Sequence, residues 1–179
     1  MSIIVLVGFS GCGKTTVGRK IAKALGYKFI DLDQEFEFRY HISISSFFTK
    51  YGEESFRKCE NNLLKLALES DNLVLSTGGG TPCYYNAMEE INNHSISVYI
   101  KMTRQSLYNR LINSKKERPL TEGKDSTELM DYIEKTLESR EKIYTKAFLT
   151  VKGESLNISD LVNAITNFQN NLSKTSDNK

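Results

Sequence analysis

Residues 7–16 read VGFSGCGKTT, and no other stretch of the chain narrows its possible folds as far. They follow the apolar run Ile3, Ile4, Val5, Leu6 and Val7. They lead into Val17, Ile21, Ala24 and Leu25, which recur at helical spacing. The order is buried strand, glycine-rich turn, helix start, with Gly8, Gly13, Lys14 and Thr15 spaced as in a phosphate-binding loop. Each residue type answers a physical need. Glycines at 8, 11 and 13 permit the close backbone approach that turns successive N–H groups of Gly11, Cys12 and Gly13 toward phosphate oxygens. The first turn of the helix, carrying Thr15 and Thr16, adds free N–H groups and the positive end of the helix dipole. Lys14 is placed to reach the β- and γ-phosphates, and the Thr15 hydroxyl to bind Mg²⁺. A plain strand-to-helix turn would need none of these residues, so the motif implies a nucleoside triphosphate site.

The rest of the composition sets bounds. A chain of 179 residues is long enough for one domain with a sizeable core. Lys and Arg number 24 against 22 Asp and Glu, a formal charge of +2. That balance argues against nucleic acid as the main partner. Three cysteines, Cys12, Cys59 and Cys83, show neither metal-ligand spacing nor a disulfide framework. No apolar stretch reaches the length of a membrane span, and the N-terminus runs directly into a strand, so a cytosolic chain with no membrane contact is expected. Residues 1–172 read as a single domain and 173–179 as a frayed polar tail.

Beyond the first helix, Gly26 reads as a helix stop and residues 27–30 as a second strand ending in Asp31-Leu32-Asp33. Side chains alternate along a strand, so both carboxylates can face one way at the sheet edge where ligands bind. Two acids there suit a divalent cation and a hydroxyl to be activated. The competing reading is a helix N-cap at Asp33. Residues 34–69 form a helical insert, with Gly52 breaking the pattern and a helix restarting near residues 53–55. Within it, Arg57 and Glu60 lie three apart on one face, the spacing of an ordinary solvated ion pair. Leu73, Val74, Leu75 and Ser76 read as the third strand, followed by Gly78, Gly79 and Gly80. Three glycines in a row cost unfolded-state entropy, and close approach of a ligand is the economical reason for them. Residues 96–100 read as the fourth strand, with Thr103 capping the helix of Leu107, Arg110 and Leu111. Residues 113–125 are charged and poor in apolar anchors, as in a lid over phosphates. A long amphipathic helix over 127–146 carries Arg140 and Tyr144; a fifth strand and a last helix over 156–168 complete the fold.

Taken together, these motifs resemble the shikimate kinase family over nearly the whole chain. The matching features are the phosphate loop, the Asp31-Leu32-Asp33 strand end and the run of Gly52, Glu53, Phe56, Arg57 and Glu60. The triple glycine 78–80, Arg118-Pro119-Leu120, and Arg140 four residues before Tyr144 complete the set. The resemblance implies a five-stranded parallel α/β sheet with a substrate lobe over about 33–69 and a lid over about 113–125. It implies transfer of the γ-phosphoryl of ATP to the 3-hydroxyl of shikimate, in aromatic amino acid biosynthesis, with Mg²⁺. Nothing in the sequence suggests an oligomer, and a monomer is expected. It further implies that Lys14 holds phosphate, and that Thr15 ligates Mg²⁺ with Asp31 reaching the ion through water. Asp33 would orient or deprotonate the 3-hydroxyl. Arg57 and Arg140 would hold the carboxylate, with Gly79 flanked by Gly78 and Gly80 giving a backbone contact. Arg118 would swing in with the lid and Arg110 would lie against adenine. Two positions depart from the family pattern: His41 stands where glycine is usual, and the usual adenine-loop proline is absent near residues 154–158. A gluconate kinase-like enzyme would share the phosphate loop but give no reason for Arg57 and Arg140 together. A non-catalytic nucleotide-binding module would be expected to lack Lys14, Asp33 or Arg118. Cys12, inside the loop beside Lys14, is expected to react with alkylating agents and to be protected by MgATP.

Overall fold

Strand β1 (Ile3–Val7) has all five side chains buried, as a strand covered on both faces must. The computed structural model describes residues 2–114 and 125–176. Helix α1 (Lys14–Leu25) follows β1, then β2 (Lys28–Asp31), α2 (Leu32–Tyr40) and α3 (Ile44–Leu68). Strand β3 (Leu73–Ser76), a 3-10 turn (Thr81–Cys83), α4 (Ala87–His94) and β4 (Ile96–Lys101) come next. Then follow α5 (Arg104–Ile112), α6 (Ser126–Tyr144), β5 (Leu149–Lys152) and α7 (Ile158–Ser176). The strands form one sheet in the order β2-β3-β1-β4-β5, every pair parallel. The expected five-stranded parallel sheet is what the chain builds.

The alternation of β1 divides the core. Val5 and Val7 face a cluster with Phe36 of α2, Phe56 and Leu64 of α3, and Ile91 of α4. Ile4 and Leu6 face the opposite cluster, with Ile21 of α1, Leu107 of α5, Ile133 of α6 and Ile165 of α7. Helix α6 serves both: Leu129, Ile133 and Leu137 belong to the second cluster, whereas Tyr144 packs into the first, its ring 5.3 Å from that of Tyr99. This crossing places Arg140 beside the residues that follow β3. Among the described residues no helix is long and apolar enough to cross a membrane.

Several boundaries differ from expectation for local reasons. Strand β2 runs one residue past its expected end, and α2 begins at Leu32, so Asp33 sits in a helical first turn rather than on a strand. The N-cap is Asp31, not Asp33: its carboxylate accepts from the Gln34 backbone N–H at 3.3 Å. The break at Gly52 is real, with φ 79° and ψ 167°, a conformation that separates the two segments of α3. His41, at the C-terminus of α2, adopts left-handed φ 53° and ψ 35°. That conformation is one glycine takes without steric cost, which explains the residue usual at this position. Helix α7 continues to Ser176, past the start of the segment read as a tail.

Candidate active site

Gly13 adopts φ 102° at the N-cap of α1, a left-handed conformation open to glycine. This lets the 8–13 loop wrap the start of the helix. Lys14 is 6% exposed. Its ammonium donates to the carbonyls of Gly8 at 2.8 Å and Phe9 at 2.9 Å. A third, weak contact goes to Cys12 Sγ at 3.8 Å, an acceptor readily exchanged for a phosphate oxygen. Arg110 of α5 is drawn to the same loop, donating to the Cys12 carbonyl at 3.0 Å.

Thr15 opens α1 beside the end of β2. Its hydroxyl donates to Asp31 Oδ2 at 2.5 Å, while Oδ1 of the same carboxylate caps α2. Among the described residues no group of three His, Cys, Asp or Glu side chains could hold a metal ion. One hydroxyl beside one carboxylate is nonetheless the donor set that suits a Mg²⁺ ion whose other ligands are phosphate and water. The residues present fit that ion.

Across the cleft, the Arg57–Glu60 pair is not solvated: both side chains are 5% exposed, with Nη1 and Oε2 2.7 Å apart. Glu60 Oε1 accepts from the Thr81 hydroxyl at 2.6 Å. Burial pushes the Glu60 carboxyl above its usual range; Arg57 and Thr81 oppose the rise, and the charge of Asp33 adds to it. Burial works against the charge of Arg57, but Glu60 and Glu53 more than offset it and hold its pKa up. Glu53 Oε1 accepts from both Nε and Nη2 of Arg57 at 3.1 Å. The ring of Tyr84 lies 4.5 Å from the guanidinium and that of Phe56 5.0 Å. Two carboxylates more than neutralise one guanidinium, so holding an anion here requires a second cation. Arg140 supplies it. Its guanidinium lies beside the Tyr144 hydroxyl, which donates to the Gly79 carbonyl at 2.5 Å.

The triple glycine is the seam between these halves. A methyl group at Gly78 would lie 2.9 Å from Asp33 Oδ1 and 2.7 Å from Glu60 Oε1, and one at Gly80 would lie 2.6 Å from Arg57 Nη2. At Gly79 it would lie 2.9 Å from the backbone nitrogen of Ser10, which cannot swing aside as a side chain does. Gly79→Ala should therefore push the phosphate loop off its seat. The expected strain of about 1–3 kcal/mol corresponds to a loss of roughly 5- to 150-fold in kcat/KM for both substrates. Steady-state kinetics checks it, and an unchanged kcat/KM for ATP would show that the two loops are not mechanically joined.

One cleft of about 720 Å³ gathers these groups. Its walls include Gly11, Gly13, Lys14, Thr15 and Thr16 from the phosphate loop, with Arg110. Asp31, Asp33, Arg57, Gly78, Gly79, Gly80 and Arg140 line the remainder. Cys12 is not on the wall: it is 1% exposed and packs into the core. The expected reactivity is therefore corrected, because a buried thiol is out of a reagent's reach. Iodoacetamide should label Cys12 at least about tenfold more slowly than the partly exposed Cys59 and Cys83, read by peptide mass spectrometry over time. Equal labelling rates would contradict that burial. Arg118 and most of the segment read as a lid lie outside the described residues. Sequence reading missed the parts played by Glu53, Thr81, Tyr84 and Tyr144. The four-residue spacings of Glu53 with Arg57 and of Arg140 with Tyr144, each on one helix, could have signalled two of them.

The shikimate kinase family model matches residues 10–169. A shikimate kinase of Parabacteroides distasonis is 41% identical over 169 residues, 92% of this chain and 98% of that protein. The chain belongs to the shikimate kinase family. Among solved structures, shikimate kinase from Bacteroides thetaiotaomicron superposes with a TM-score of 0.87 at 38% identity, over 94% of this chain and 98% of the other. The Acinetobacter baumannii shikimate kinase, solved in complex with shikimate, gives 0.84 at 32% identity, over 97% and 94%. The segment at 154–158, where the expected proline is absent, is tied to the start of α5. Glu154 Oε1 accepts from the Thr103 backbone N–H at 2.8 Å and from its hydroxyl at 3.1 Å, which holds the Glu154 carboxyl below its usual range.

Proposed function

We propose that this chain is an ATP-dependent shikimate kinase, transferring the γ-phosphoryl group of ATP to the 3-hydroxyl of shikimate. The observation that carries the reading is the convergence of Arg57, Arg140 and Asp33 with a phosphate-binding loop in one cleft. A guanidinium fork matches a planar carboxylate, and two arginines about one pocket favour an anionic cyclic acid over a neutral sugar. The Acinetobacter relative solved with shikimate supports that substrate. A gluconate kinase-like reading leaves the Arg57–Glu60 construction without a purpose, and a non-catalytic module leaves Lys14 and Asp33 without one.

In this reading the 8–16 loop and Lys14 bind the phosphates, and Arg110 steadies the loop through the Cys12 carbonyl. Thr15 and Asp31 hold Mg²⁺, which when bound neutralises charge on the phosphate oxygens. Asp33 takes the proton of the 3-hydroxyl at Oδ1 or fixes its direction. Arg118, assigned from the family resemblance alone, stabilises the transferring group. The enzyme acts as a cytoplasmic monomer of one domain, with residues 33–69 as its substrate lobe. Its three free thiols support that compartment, and the gathering of Lys14, Asp33, Arg57 and Arg140 of one chain in one cleft supports the monomer.

The test is ADP release by purified protein with MgATP and shikimate, beside a panel containing gluconate. Release that depends on shikimate is expected, with phosphorus NMR showing a shikimate monoester. Turnover of gluconate, or no turnover of any substrate, would overturn the reading.

A further inference from the structure

The substrate arginine of this site is held from behind by two hydroxyl-bearing residues, acting through the acids that pair with it. Arg57 has five N–H donors, of which one on Nε, one on Nη2 and one on Nη1 are committed to Glu53 and Glu60. Two remain, one on each terminal nitrogen, as a planar carboxylate requires. Whether they face the cleft depends on how rigidly Glu53 and Glu60 hold the other edges. Both acids are gripped from the turn after the triple glycine. The Thr81 hydroxyl donates to Glu60 Oε1 at 2.6 Å, and at the far end of that turn the Tyr84 hydroxyl donates to Glu53 Oε1 at 3.1 Å. The two acids differ in need. Glu60 is buried, whereas Glu53 is 44% exposed and would wander in solvent without a second anchor. Tyr84 does not line the main cleft; it lines a smaller cavity that shares Arg140 with it. We infer that Tyr84 is a positioning residue for shikimate binding: its hydroxyl pins Glu53 and its ring backs the guanidinium, so that Arg57 presents two N–H groups to the substrate carboxylate.

This inference rests on the assignment of Arg57 to that carboxylate. Tyr84→Phe keeps the ring and removes only the hydroxyl. It should raise KM for shikimate by roughly 3- to 10-fold, the scale of one hydrogen bond to a charged group. Its kcat should stay within about twofold, because the group touches no reacting atom. Glu53→Gln should raise the same KM at least as much. The double variant should be no worse than Glu53→Gln alone, since both changes act through one carboxylate. Thermal unfolding of Tyr84→Phe should match the wild type, so that lost folding does not imitate the result. An unchanged KM in Tyr84→Phe, when Arg57→Ala raises it, overturns the inference alone. Multiplying effects in the double variant overturn the route through Glu53. An unchanged KM in Arg57→Ala overturns the carboxylate assignment and this inference with it.

Discussion

Arg57→Ala and Arg140→Ala should each lower kcat/KM for shikimate by roughly 30- to 1000-fold, the equivalent of about 2–4 kcal/mol. ATP affinity of the free enzyme should stay within about threefold, because the phosphate loop binds nucleotide independently. The two variants should differ in a second respect. Arg57 shares its burial with Glu60, so Arg57→Ala strands a buried carboxylate and should also cost about 3–5 kcal/mol of stability. Arg140 leans on the neutral Tyr144 hydroxyl, so Arg140→Ala is the cleaner kinetic probe. Lysine at either position keeps charge but loses the fork, and should recover only part of the activity. Steady-state kinetics at a temperature where both variants remain folded, with ATP binding by titration, tests the pair. Normal shikimate kinetics in both would remove the substrate assignment and leave the nucleotide site standing.

The second large effect belongs to Asp33→Asn, which should lower kcat by about 10²- to 10⁴-fold and change KM for shikimate by less than about threefold. Asp33 Oδ1 and Glu60 Oε1 converge on the bare backbone at Gly78, so two carboxylates compete for the role of proton acceptor. Their surroundings separate them. Glu60 is buried, its carboxyl raised, and both its oxygens are engaged by Arg57 and Thr81. Asp33 is half-buried in the first turn of α2, on the cleft that Glu60 also lines, and is the more accessible of the two. We therefore assign the acceptor role to Asp33, and to Glu60 that of the strut of the arginine. Single-turnover phosphoryl transfer separates chemistry from product release in the comparison. A smaller loss in Asp33→Asn than in Glu60→Gln, with both variants folded, would reverse the two roles.

Much of the site was visible in local patterns. The phosphate loop depends on residues within one turn of each other, and its glycines carry the same meaning in any compact chain. The Gly52 break and the Gly26 stop are likewise local, because each turns on a backbone conformation that glycine favours. The Asp31-Leu32-Asp33 stretch was only half legible. Two acids at a strand end were evident, but which of them caps α2 turns on a single peptide's φ and ψ. Asp31 won because β2 stops there, and its carboxylate then serves both Gln34 and Thr15.

From the order of its residues alone, the chain determined a parallel α/β sheet, a triphosphate site at its first turn and the identity of the groups that surround it. Hydrophobic alternation, glycine placement and motif spacing act over a few residues and do not wait for the rest of the fold. Tertiary structure decided what those groups are worth. The spacing of Arg57 and Glu60 is the same on a wet helix as on a dry one. What buries the pair and leaves room for the guanidinium are Gly80 and Thr81, more than twenty residues away. The same holds for Cys12, turned into the core, and for Tyr144, which reaches Gly79 across 65 residues of chain. Burial and charge pairing are sums over neighbours, and those neighbours exist only once the sheet has closed.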